Sequence, residues 1–181
     1  MTERLHGLRR LLASERGYTL IELLQVTVIL GVVLGAIMVL FVNATTAEVD
    51  MNRRFQAQQS ARVAVDRMRR EIHCSNAITP AGAAASITVT LPSQCPGAGG
   101  AQVDVIYDTS VVSANRYRLR RNGVTIADYI TASNAFNYTE PTQQKLGILR
   151  VDLPVNVKPS ETHKAWRLVS DIVLRNTKRL P

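Results

Sequence analysis

The sequence predicts an α+β fold: a long N-terminal helix, its first half transmembrane, packed on an antiparallel β-sheet. Three observations predict it. Twenty-five consecutive residues, Leu23 to Ala47, carry no Asp, Glu, Lys or Arg. Beyond them apolar residues recur at three- and four-residue steps as far as Ile72, with no proline before Pro80. After Thr79-Pro80-Ala81-Gly82 the apolar period changes to two, the spacing of a half-buried strand.

The apolar segment is densest over Val26–Val42. A helix needs about 20 apolar residues to cross a hydrocarbon core of roughly 30 Å, so this segment is long enough to span a bilayer. It exceeds the apolar region of a secretory signal, about 7–15 residues. A signal peptide cut near Ala44 is the alternative reading. Upstream lie Arg4, Arg9, Arg10 and Arg16 against Glu3 and Glu15, and the first charges downstream are Glu48 and Asp50. The positive-inside bias places the N-terminus in the cytoplasm and the chain after Val42 outside. Arg9-Arg10 also suits a twin-arginine signal, but Glu15 and Arg16 interrupt the apolar run such a signal needs.

The helix continues beyond the span. Ala57, Ala61, Ala64/Val65, Met68 and Ile72 make one apolar face. Arg53, Arg54, Arg62, Asp66, Arg67, Arg69, Arg70 and Glu71 occupy the others, which read as a solvated surface, with contacts to neighbouring subunits as the alternative. From Tyr18 to Ile72, at 1.5 Å per residue, such a helix extends roughly 80 Å.

The sheet follows. Ile87–Leu91, Val103–Tyr107, Tyr117–Arg121, Val124–Ile130, Ala135–Thr139, Ile148–Val157 and Trp166–Leu174 read as strands. Asn122-Gly123 between two of them is a strong hairpin signal. Pro154 implies an edge position or a break in its strand. Period two puts Arg116, Arg118 and Arg120 on one sheet face, opposite Tyr117 and Leu119. That row reads as solvated, with a subunit contact or DNA as alternatives.

Composition narrows the function. Of 181 residues, 46% are hydrophobic, which supports a packed core and excludes whole-chain disorder. Two cysteines are too few for a four-thiolate zinc site. Cys74 and Cys95 would lie outside the cytoplasm, where disulfides persist. A bridge would close a loop of about 20 residues, worth roughly 3 kcal/mol in the chain-entropy view; two separate thiols are the alternative. His73 and His163 lack metal-ligand spacing, Asp104 and Asp108 form no calcium loop, and no H-E-x-x-H or G-x-S-x-G occurs. No catalytic residue, metal or cofactor is expected, so the chain does not read as an enzyme. The formal charge of +8 is compatible with acidic partners, DNA included, without requiring them.

The junction before the span is the most informative stretch: Gly17-Tyr18-Thr19-Leu20-Ile21-Glu22-Leu23-Leu24. An acid near the centre of a membrane helix costs about 2.5–3.5 kcal/mol on insertion scales. Thr19-Leu20-Ile21-Glu22 also fits an S/T-x-x-E capping box, which would place the acid at the helix start for local reasons. With its short basic leader and long apolar sequel, the junction resembles the class III signal of type IV pilins and type II secretion pseudopilins. The resemblance implies that a prepilin peptidase cuts after Gly17 and methylates Tyr18, where the family usually has Phe. It further implies that Glu22, fifth in the mature chain, guides the subunit into a filament. The mature chain would hold 164 residues with a formal charge of +6.

Phe55–Ile72 and the later order of Asn122-Gly123, Phe136-Asn-Tyr138 and Val173–Asn176 resemble J-class minor pseudopilins and W-class minor pilins. Major pilins commonly carry a proline partway along the apolar helix, and K-class tip subunits usually lack the glutamate; this chain departs from both. The resemblance divides the chain into a prepilin leader (1–17), a transmembrane and filament-core helix (18–42), an exterior amphipathic helix (43–76) and a β-rich head (77–181). It implies a minor pilin or pseudopilin that helps initiate or cap a type IV pilus or type II secretion pseudopilus. The chain would sit in the bacterial cytoplasmic (inner) membrane, single-pass, before extraction into the filament. Its partners would be other minor and major pilins or pseudopilins, prepilin peptidase, the inner-membrane assembly platform and membrane lipid. The alternatives are a DNA-uptake (competence) pilin that contacts nucleic acid, and an anchored exterior domain unrelated to filaments.

Overall fold

The computed structural model describes residues 18–161 and 165–176. Two compact units divide the chain, residues 1–48 and 49–181. One helix, α1 (Leu20–Cys74), supplies the described helical part of the first and enters the second. It contains a segment long and apolar enough to cross a membrane, none of it buried by the protein. Ile29, Val32, Leu34, Met38 and Phe41 are all exposed, so this segment has no protein core of its own. Within it the Thr27 hydroxyl donates to the Leu24 carbonyl at 2.9 Å. That bond satisfies a polar group which lipid would leave unpaired.

The second unit is an α+β layer pair. Ala57, Ala61, Ala64, Val65, Met68 and Ile72 are buried against the sheet, and the small residues among them let helix and sheet approach closely. Burying side chains the size of Met68 and Ile72 contributes roughly 1.5–3 kcal/mol each. Nine strands follow: β1 (Ala77–Thr79), β2 (Gly82–Ala84), β3 (Ser86–Leu91), β4 (Val103–Ser113), β5 (Arg116–Arg121), β6 (Val124–Ile130), β7 (Phe136–Thr139), β8 (Ile148–Val155) and β9 (Trp166–Val173). All described pairings are antiparallel, in the order β1-β3-β4-β5-β6-β8-β7-β2 with β9 beside β8. Alternate residues Ile87, Val89 and Leu91, then Leu149, Val151, Leu153 and Val155, point into the core.

Asn122 and Gly123 have φ of 48° and 79°, the paired left-handed geometry that a two-residue turn between twisted strands requires. The Asn122 side-chain oxygen also accepts the Ile106 N–H at 2.8 Å, tying the turn to β4.

The structure corrects the reading of Pro154. It lies inside β8, unbroken and paired along its full length with β9. The missing N–H does no harm because the partner on the other side changes there. β7 pairs only as far as Val151 and β6 begins at Val155, while the Pro154 carbonyl still accepts the Thr131 N–H at 2.9 Å.

Candidate functional site

The described part of the candidate site starts at the helix N-terminus. Gly17 lies outside the described residues; Tyr18 precedes the helix and is exposed. Thr19 is the N-cap, its Oγ1 accepting the Glu22 N–H at 3.4 Å while its carbonyl accepts Glu22 N–H at 3.0 Å and Leu23 N–H at 3.2 Å. That is half of a capping box. The reciprocal bond, from the Thr19 N–H to the Glu22 carboxylate, is not formed among the described residues. The Glu22 side chain is therefore exposed in the first turn of an apolar helix, and the cap does not use its charge.

The C-terminal end of α1 is stapled. Cys74 and Cys95 form a disulfide, with Cα atoms 5.8 Å apart. The Cys74 carbonyl accepts the Asn176 side-chain N–H at 2.8 Å, and His73 Nδ1 sits 2.8 Å from the Val173 carbonyl. The helix end, the loop after β3 and the end of β9 thus converge.

By its charge Glu71 belongs to the outer faces that the sequence predicts. It is 5% exposed. Its carboxylate accepts the Tyr107 hydroxyl at 2.6 Å, Arg121 Nε at 3.2 Å and Arg67 Nε at 3.2 Å. Burial, followed by the Glu71 hydrogen bond and charge, pushes the Tyr107 phenol well above its usual range. Nothing local announces this network, since its strand partners lie 36 and 50 residues away.

The Arg116/Arg118/Arg120 row is not simply solvated either. Arg116 donates to Asp128 through Nε at 3.2 Å and Nη2 at 2.8 Å, and Arg118 Nε reaches the same carboxylate at 3.2 Å. Arg120 pairs with Asp108, directly opposite it on β4. Burial pushes the Asp128 carboxyl up, but Arg116, the Tyr129 N–H and Arg118 outweigh it and hold the group below the carboxylate range. Arg116 also stacks over the Tyr129 ring at 4.1 Å, in a bulged stretch where Tyr129 has φ of 62°. Three guanidiniums sharing two carboxylates leave little free charge for phosphates. A gel-shift titration of the full chain at two salt concentrations is expected to show only weak binding, unchanged when all three arginines are replaced by Ala. Tight binding with a steep salt slope, lost in that triple variant, would reverse this expectation.

The Asp128 cluster also sets an acid response. A carboxylate held low in the folded state gives stability that is complete above its unfolded pKa of 3.8 and is lost as pH falls through the folded value. Denaturation midpoints measured from pH 6 downward should fall in the acid range, and Asp128→Asn should flatten that fall.

On the outward side of α1, Met51, Phe55 and Val63 are 71%, 65% and 61% exposed. Val63 lines a groove with Gln56, Gln59, Ser60 and Ile126, and Gln56 and Ser60 also line a second groove with Asp128 and Tyr129. Among the described residues no three His, Cys, Asp or Glu side chains gather as a metal site would need. Compared with family models, curated proteins and solved structures, the chain matches none of them.

Proposed function

We propose that this chain is a minor pilin or pseudopilin, a structural subunit that helps initiate or cap a type IV pilus or type II secretion pseudopilus. The observation that carries the reading is Glu22: a carboxylate in the first turn of a membrane-length apolar helix, left over by the cap beside it. A charge so placed asks for a partner from another chain. The junction Gly17–Leu24 supports the same reading through its resemblance to the class III signal. The disulfide agrees with an exterior location for the second unit. In this reading the chain is anchored once in the bacterial cytoplasmic membrane, N-terminus inside. The exposed Met51–Phe55–Val63 ridge would face neighbouring pilins, and the protein needs no catalytic group or cofactor.

Gly17 is the first residue to test. A peptidase must draw the backbone into its site, and Gly offers both access and conformational freedom. Gly17→Leu should leave uncut precursor in the membrane, whereas wild-type protein should yield an N-methylated Tyr18 terminus by mass spectrometry. Normal processing of the variant at Tyr18 would remove the class III reading. An unprocessed wild-type N-terminus would favour the anchored exterior domain instead.

A further inference from the structure

A cleft of about 770 Å³ opens in the exterior unit beside the C-terminal end of α1. Four amide-bearing residues line it from four separate stretches: Asn76 after the helix, Gln94 beside the disulfide, Gln102 before β4 and Asn176 after β9. Asn176 is engaged with the Cys74 carbonyl, and Gln94 Oε1 accepts only a long 3.4 Å bond from Ser93. Asn76 and Gln102 are exposed and make no side-chain hydrogen bond among the described residues.

One wall is β1, which pairs with β3 on one side and with no described strand on the other. Its residues Ala77 and Ile78 line the cleft. The facing wall comes from the far side of the sheet order: Tyr138 of β7, then Glu140 and Pro141. Glu140 is the one charged side chain among the lining residues and has no ion-pair partner among the described ones.

An amide side chain offers two donors and an acceptor, the groups that match a peptide unit. An open strand edge presents backbone N–H and C=O groups at the repeat of an extended chain. A sugar would ask for an exposed aromatic face, and the single aromatic lining residue, Tyr138, is 4% exposed. We infer that this cleft binds an extended peptide segment of a partner protein, laid along β1 with a Lys or Arg side chain against Glu140. The inference goes beyond the filament role and does not depend on it.

The test pans a random phage-displayed nonapeptide library on the full-length chain in detergent micelles, then measures the enriched peptides by fluorescence anisotropy. Enrichment is expected for β-branched sequences with one Lys or Arg and no central Pro. Their affinity should fall about 10-fold in Glu140→Gln and again in Asn76→Ala/Gln102→Ala, the loss of one or two polar contacts. These positions are exposed, and the Trp166 fluorescence midpoint of each variant checks its folding. No enrichment, equal affinity for the folded variants, or displacement of the peptides by chitotriose at its own saturating concentration would overturn the assignment.

Discussion

Glu71→Gln should destabilise the second unit, residues 49–181, by about 3–5 kcal/mol, the cost of removing one partner from a buried ion pair. The amide keeps the volume but withdraws the charge that Arg121 faces, and the Arg121 side chain is only 15% exposed. The Tyr107 hydroxyl would then face a neutral acceptor in place of a charged one. Arg67, at 48% exposure, is solvated enough to lose little. Denaturation of the full-length chain followed by Trp166, its only tryptophan, reads the change directly. The double variant Glu71→Leu/Arg121→Met should recover much of the loss, because an apolar pair of similar volume avoids both the desolvation and the orphaned charge. A loss under about 1 kcal/mol in Glu71→Gln would mean that the network behaves as a surface pair.

Glu71 also marks where sequence reading stops. The buried face of α1 was legible because its residues share one stripe at three- and four-residue steps, which is a local pattern. Glu71 lies beside Ile72 on the same stripe, but charge alone assigned it to the outer face. Only the arrival of β4 and β5 supplies Tyr107 and Arg121. The Asn122-Gly123 turn was legible because its left-handed geometry belongs to those two residues themselves. β1 and β2, three residues each, are too short to show a period of two. β4 runs on to Ser113, beyond the expected Tyr107, because Thr109, Ser110 and Val111 find partners on β5 that their own composition does not reveal.

The candidate site divides in the same way. The N-cap at Thr19 was readable from Thr19-Leu20-Ile21-Glu22, and the structure forms the half that uses the Thr19 hydroxyl. Under the proposed function the Glu22 charge acts on a second chain, so neither the local sequence nor the cap reveals its role.

Under the proposed function, Glu22→Leu should insert and be cleaved normally but enter the filament poorly. Cleavage after Gly17 would expose an amine at Tyr18, cationic near neutral pH and close to the membrane. The residues flanking Glu22, namely Ile21, Leu23 and Leu24, offer its carboxylate no polar partner. Two unit charges about 4 Å apart attract by roughly 4 kcal/mol at an effective dielectric of 20, a ceiling before desolvation. The amine of a neighbouring subunit would supply that attraction only when the two helices are in register, so Glu22 would act as a docking gauge. A role confined to the cap leads elsewhere. The observed cap uses the Thr19 oxygens and the Glu22 N–H, all of which Leu at position 22 retains. Loss of the carboxylate would then cost only the helix-dipole contribution, about 0.3–1 kcal/mol, and assembly would proceed. Crosslinking to partner pilins, with membrane level and processing as controls, separates the two outcomes. A yield several-fold below wild type, at equal membrane level, is expected if the charge aligns subunits. A wild-type yield in Glu22→Leu would reduce Glu22 to a favourable charge at a helix start.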